Sequence, residues 1–297
     1  MTMTLAGTVG NTPLVGIRNS WKHPRVRILA KLEGHNPGGS VKDRAALSML
    51  NGAMERGELR PGDRIVEATS GNTGIALAMM ARLLGLRTTL VMPDNSTEER
   101  VLTMRAFGAD VVLTPAERTI EHSRAVAEGL RDEHGWVMLD QFANPDNWGA
   151  HYRGTGPEIL RDTRGEVTHF VSAMGTTGTI MGVSRCLKEA KPGVTIVGTR
   201  PTEGSSIPGI RRWSPEFLPR IFEAARVDRT IDVSEAQAAD AARRLAREEA
   251  IFSGMSAGGA FHAALEVARE LDEGTIVFIA CDRGDRYLSS DLFRAGA

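Results

Sequence analysis

Residues 64–84 read RIVEATSGNTGIALAMMARLL, and the periodicity changes once inside that stretch. Arg64 to Ala68 is a short, partly β-branched run of strand length. Thr73 to Leu84 is a run of good helix formers closed by Gly85, where a left-handed C-cap is expected. Between them Thr69-Ser-Gly-Asn-Thr-Gly74 is small, hydroxylated and glycine-rich. A strand feeding a helix through such a turn is the unit of a parallel sheet, and the turn falls at the strand's carboxyl end, where ligands bind. Two further turns share this composition, Gly175-Thr-Thr-Gly-Thr179 and Gly254-Met-Ser-Ala-Gly-Gly259. Glycine lets the backbone approach a ligand and the N–H groups of a helix start favour an anion, so three such junctions predict a polyanion or carboxylate site.

The same alternation runs outward along the chain. Strands are expected at Val26 to Leu32, Thr88 to Met92, Val111 to Thr114, Val137 to Leu139, His169 to Ala173, Thr195 to Thr199 and Ile276 to Cys281. Helices are expected at Asp43 to Arg56, Thr97 to Phe107, Ala116 to Glu133, Thr179 to Glu189, Ala236 to Glu249 and Gly258 to Leu271. The class is therefore α/β with parallel strands. Residues 143–157, dense in Gly, Pro and Asn, read as a crossing between two domains, and the long loop from Pro201 to Pro219 reads as functional.

Composition narrows the function. A chain of 297 residues can bury a core without disulfides or a structural metal, and 36 basic against 37 acidic residues leave no field to attract nucleic acid. Cys186 and Cys281 have no metal-ligand spacing and fit a reducing cytoplasm. The first residues carry no secretory leader pattern, and no apolar run reaches the roughly 20 residues of a membrane span.

Only five lysines occur among the basic residues, so an amine that must lose its proton has few candidates. Lys42 stands out because it follows Asn36-Pro-Gly-Gly-Ser-Val41 and opens a helix, where the positive end of the dipole lowers an ammonium's pKa and suits Schiff-base chemistry. Rival motifs fail. Gly254-x-Ser256-x-Gly258 looks like a hydrolase elbow, but only His262 follows it, within the next helix, and no Walker A, GxGxxG or HExxH pattern is present.

NPGGSVKDR at 36–44, TSGNTG at 69–74, GTTGT at 175–179 and GMSAGG at 254–259 together resemble the fold type II pyridoxal-phosphate enzymes, within them the cysteine synthase and cystathionine β-synthase group. The likeness runs from Gly10-Asn-Thr-Pro-Leu-Val15 almost to the end of the chain. It is closer still to the B-type members of that group, on GSSIPGIRRW at 204–213, Gln141-Phe142 and CDRGDRYL at 281–288. Ala257 departs from the second serine of many relatives.

The resemblance implies two α/β domains with twisted, mainly parallel sheets and pyridoxal 5'-phosphate in the cleft between them. Residues 40–145 would form a smaller, mobile domain, and 1–39 with 146–297 a larger cofactor-binding one. Lys42 would carry the cofactor through a Schiff base, Asn72 would meet its ring hydroxyl, and Gly175, Thr176, Thr177, Gly178 and Thr179 would cradle its phosphate. Ser256 would face the pyridine nitrogen, and Thr69, Ser70, Thr73 and Gln141 would bind the amino-acid carboxylate. Arg211, Cys281 and Asp282 would set the sulfur donor. The implied activity is replacement of the acetate of O-acetyl-L-serine by sulfide or thiosulfate in a cytoplasmic homodimer. An O-phosphoserine-dependent synthase and a non-catalytic scaffold that holds the cofactor remain open alternatives.

Overall fold

The computed structural model describes residues 2–294. In chain order the strands are β1 (Leu14–Gly16), β2 (Val26–Leu32), β3 (Arg64–Ala68), β4 (Arg87–Pro93), β5 (Asp110–Thr114), β6 (His169–Ala173), β7 (Thr195–Pro201), β8 (Arg229–Val233) and β9 (Gly274–Ala280). The α-helices are α1 (Lys42–Glu55), α2 (Asn72–Leu83), α3 (Glu98–Ala106), α4 (Thr119–His134), α5 (Pro145–Ala150), α6 (Gly156–Asp162), α7 (Gly178–Ala190), α8 (Glu235–Glu249) and α9 (Met255–Arg269). The chain divides into two compact units. One is Lys42–Asn147 with the N-terminal residues up to Val9, and the other is Gly10–Val41 with Trp148 onward. Val9 groups with the smaller unit because it packs on the core of α1 and α2.

The smaller unit is built on a parallel sheet of order β3-β4-β5. Alternation along the strands sends Ile65, Leu90 and Met92 to the face covered by α1, α2 and α3, and Val66 and Val91 to the face covered by α4. Helix α2 is buried on nearly every side, with Thr73 through Ala81 out of solvent, which is why its apolar residues do not form a single stripe. Leu77 has no exposed surface, and truncating it to alanine would cost about 2–5 kcal/mol. Gly85 follows its helical run at positive φ, as the sequence leads one to expect, and Gly57 and Gly108 do the same after theirs.

The larger unit holds a sheet of order β1-β2-β9-β6-β7-β8, parallel except for β1. Ile28, Ile276 and Phe278 point towards α8 and α9, while Phe170, Ile196 and Val277 point towards α7. Helix α8 is closed at its start by a reciprocal Ser234–Gln237 capping box. Helices α8 and α9 meet at backbone distance, since a Cβ on Gly258 would lie 2.1 Å from the Ala238 carbonyl oxygen.

Three expectations change. Val137 to Leu139 forms only a single bridge, Val137 with Ile65, because the chain leaves the sheet edge after Leu139 to make a turn at Asp140. Residues 143–157, within which one unit ends at Asn147 and the other resumes at Trp148, are mostly helical rather than irregular, passing through α5 and a π-helical turn (His151–Thr155) into α6. Packing supplies what composition lacks there, since a Cβ on Gly182 of α7 would meet the Trp148 carbonyl oxygen at 2.1 Å. The Gly254–Gly259 turn follows a helix rather than a strand, joining α8 to α9.

Candidate active site

In the smaller unit, Lys42 is the first residue of α1 and is half-buried. The Thr69–Gly74 turn leaves the carboxyl end of β3 and enters α2 at Asn72, with Gly71 as N-cap. Thr69 and Thr73 are buried, while Ser70 and Asn72 are partly exposed. The structure brings Gln141 onto this turn. Thr73 Oγ1 donates to Gln141 Oε1 at 2.8 Å, and Asn147 Nδ2 donates to the Gln141 carbonyl at 2.7 Å. With its Oε1 occupied, Gln141 presents its amide hydrogens, a donor set suited to an anion at the start of α2. The Thr73 hydroxyl hydrogen is thus committed to Gln141.

Glu67 lies beneath this turn and had no role in the sequence reading. It is 5% exposed, and its Oε2 accepts the Asp140 backbone N–H at 3.2 Å. Burial first, and the neighbouring Asp140 charge second, push its carboxyl up to about 8. Arg124 of α4 stands 3.8 Å from Asp140 Oδ2.

In the larger unit, Gly175–Thr179 connects β6 to α7, with Thr177 as N-cap in the left-handed region at φ 69°. Thr177 Oγ1 is buried and has no hydrogen-bond partner among the described residues. An orphaned hydroxyl at a helix start is costly unless an anion completes it, and a phosphate dianion does so with the backbone N–H groups of the same turn. The site thus fits the phosphate of pyridoxal phosphate. A Cβ on Gly175 would lie 2.6 Å from the Gly209 carbonyl oxygen, so a glycine is required there.

The loop from Pro201 to Pro219 closes on this turn. Trp213 Nε1 donates to the Gly175 carbonyl at 2.9 Å, and the Arg211 N–H donates to the Met174 carbonyl at 2.9 Å. Gly209, at φ 87°, leaves room beside Ser256, whose Oγ would lie 3.4 Å from an added Cβ. Ser256 is buried in the first turn of α9. The paired arginines separate. Arg212 bonds Asp232 at 2.6 Å and the Pro201 carbonyl at 3.1 Å, whereas Arg211 is exposed, 5.9 Å from the Trp213 ring.

Cys281 is half-buried and its carbonyl accepts the Val41 N–H at 2.8 Å, which ties the end of β9 to the turn preceding Lys42. Asp282 is buried, with Oδ1 accepting Gly254 N–H at 3.2 Å and Oδ2 accepting Tyr287 Oη at 2.8 Å, so it braces the start of α9. His151, by its isolation in the sequence a structural or exposed histidine, is the former. It is buried between Thr155 Oγ1 at 2.9 Å and Thr179 Oγ1 at 3.3 Å, and no local spacing signals that placement. Among the described residues no cluster of metal-ligating side chains occurs, and no helix is long and apolar enough to cross a membrane.

Residues 5–282 match the family described as pyridoxal-phosphate dependent enzyme. The chain is 57% identical to cysteine synthase B of Pseudomonas aeruginosa over 290 residues, covering 98% of this chain and 97% of that protein. It is 55% identical to cysteine synthase B of Salmonella typhimurium, covering 98% and 96%. Its fold superposes on a crystal structure of O-ureido-L-serine synthase with a TM-score of 0.94, at 38% identity, covering 100% of this chain and 96% of that one.

Proposed function

Because the chain belongs to the pyridoxal-phosphate dependent enzyme family, we propose that it is a cysteine synthase that replaces the acetate of O-acetyl-L-serine with sulfide. The observation that carries the reading is the α7 start, where the buried Thr177 hydroxyl has no hydrogen-bond partner among the described residues and a phosphate would complete it. When bound, pyridoxal phosphate withdraws electrons from the amino acid's Cα and so eases loss of its proton.

The chain's residues supply the rest. Lys42 would hold the cofactor, and its free amine would take the substrate's Cα proton as general base. Asn72 donates to the cofactor's ring hydroxyl. The amides of Gln141 and of the first turn of α2 bind the substrate carboxylate, with Thr69 and Ser70 beside them. Ser256 offers the pyridine nitrogen a neutral hydroxyl, which does not hold that nitrogen protonated as a carboxylate would. With that neutral partner the bound group would be a weaker electron sink, which would favour loss of acetate over side reactions at Cα. The Cβ–O bond to acetate would break, a bond from sulfide to Cβ would form, and Lys42 would return the proton to Cα, giving cysteine and acetate.

Thiosulfate is the finer part of the proposal. Its sulfonate end calls for a fixed cation, and Arg211 supplies one because Arg212 is committed to Asp232. Cys281 lies at the end of β9, and Asp282 acts from behind by holding Gly254. A cytoplasmic homodimer completes the reading, checked by light scattering, which should give about twice the 32.1 kDa chain mass.

The deciding experiment mixes purified holoenzyme with O-acetylserine and sulfide, with O-phosphoserine in parallel, and measures cysteine. Borohydride reduction and peptide mapping then locate the cofactor. Cysteine from O-acetylserine and a pyridoxyl group on Lys42 are expected. Turnover with O-phosphoserine alone, or a label on another lysine, would overturn the assignment.

A further inference from the structure

We infer that Glu67 is a positioning residue for the substrate carboxylate, holding the Leu139–Gln141 backbone so that Gln141 presents its amide to the anion. The inference rests on the function proposed above and adds a residue to its substrate site.

A carboxyl is out of place at this position. Ile65, two residues earlier on the same face of β3, sits in the apolar cluster that also receives Leu139, and a hydrophobic side chain would fill position 67 without a desolvation penalty. What an apolar residue could not do is accept the Asp140 N–H, which Glu67 takes at 3.2 Å, along with the backbone N–H of Leu139. The acceptor is needed because the chain breaks from the sheet edge here. Val137 still pairs with Ile65, but Asp140 adopts φ 48°, a conformation that side chains rarely take, and the chain reverses through bonds from Ala143 N–H and Asn144 N–H to the Asp140 carbonyl.

The next residue is Gln141. Its side-chain oxygen is held by Thr73 at 2.8 Å, its carbonyl by Asn147 at 2.7 Å, and the Leu139–Asp140 peptide that leads into it by Glu67. These three ties fix the amide nitrogen that meets the substrate. Two charged groups face Glu67 across this turn, Asp140 beside it and Arg124 from α4. The proton that Glu67 retains near neutrality lets it stay buried beside Asp140.

The test compares holoenzymes of wild type, Glu67→Ala, Glu67→Asp and Glu67→Gln. Two readouts are taken: amide hydrogen exchange of peptides spanning residues 137–144, and KM and kcat for O-acetylserine. Glu67→Ala is expected to speed exchange in that peptide and to raise KM about 5- to 30-fold, the effect of losing a buried hydrogen bond, with kcat changed less than about threefold. Glu67→Gln, which keeps an acceptor without a charge, should restore both readouts. If Glu67→Ala does not fold, Glu67→Asp, one methylene too short to reach Asp140, carries the same expectation. Unchanged exchange and KM in the shortened variants, a fall in kcat alone, or a Gln variant as impaired as Ala would overturn the inference. Should wild type make no cysteine at all, the proposed activity fails, while the exchange arm still decides whether Glu67 holds the Gln141 segment.

Discussion

Replacing Glu67 by glutamine should stabilise the protein, and by an amount that grows with pH. Its carboxyl is pushed up to about 8 in the folded chain, against an ordinary value of 4.5 once unfolded. Between those two values the folded state keeps a proton that the unfolded state releases, so rising pH favours unfolding and stability is lost across this window. The difference of about 3.5 units corresponds to at most about 5 kcal/mol by pH 8 and no further change above it. For a chain of 297 residues the unfolding entropy is roughly 0.6 kcal/mol/K, so 5 kcal/mol becomes roughly 8 °C. Glutamine has no proton to lose. The gap in Tm between Glu67→Gln and wild type should therefore open from a constant value near pH 4.5 and level off above pH 8. Differential scanning calorimetry at equal cofactor concentration reads it, because other titrating groups cancel between the variants and ligand-linked shifts are held fixed. A gap that stays constant with pH, or widens towards acid, would refute the reasoning.

Four further outcomes follow from the site. Thr177→Ala removes the orphaned hydroxyl, and cofactor affinity should fall about 5- to 30-fold in a fluorescence titration, whereas an unchanged Kd would place the phosphate elsewhere. Ser256→Ala should retain turnover within about tenfold, since it loses one neutral hydrogen bond; a covalent acyl group on Ser256 by mass spectrometry would argue for a hydrolase-like nucleophile instead. Arg211→Ala should lose about 10- to 150-fold in kcat/KM with thiosulfate and far less with sulfide, and equal losses with both donors would remove Arg211 from donor choice. Gly71→Ala should leave Tm nearly unchanged, because within its own unit no atom lies within 4 Å of the added Cβ, yet raise KM for O-acetylserine about tenfold or more; a normal KM would mean the substrate does not pass over Gly71.

The parallel strands inside each sheet are legible because burial on both faces favours short, largely β-branched or apolar runs with turn residues at their ends, as in β4 (Arg87–Pro93) and β6 (His169–Ala173), the latter matching expectation residue for residue. The edge strands β1 and β8 carry no such run. Leu14–Gly16 has three residues, and Arg229–Val233 places three of its five in solvent, so their pairing depends on the neighbour already being there. Residues 145–162 are illegible for a related reason. Their Pro, Asn and Gly content argues against helix, and what overrides it is close packing on α7 through Gly156 and Gly182. Glu67 was missed because a carboxylate in a strand reads as a solvated residue, and only the left-handed turn at Asp140, far along the chain, gives it something to hold.

The glycines of the site show where motif reading stops. All three turns look alike in sequence, yet their glycines answer to different neighbours. Gly258 and Gly259 are small because Ala238 of α8 and Ile210 press against them, and Gly175 because the Gly209 carbonyl does; in each case the protein itself occupies the space a side chain would need. Gly71 differs. Its φ of −127° is open to any residue and its own unit leaves the Cβ position vacant, so neither strain nor packing explains a glycine there. The remaining physical reason is close passage of something outside the chain, and the anion-binding amides at the start of α2 are what such a group would reach.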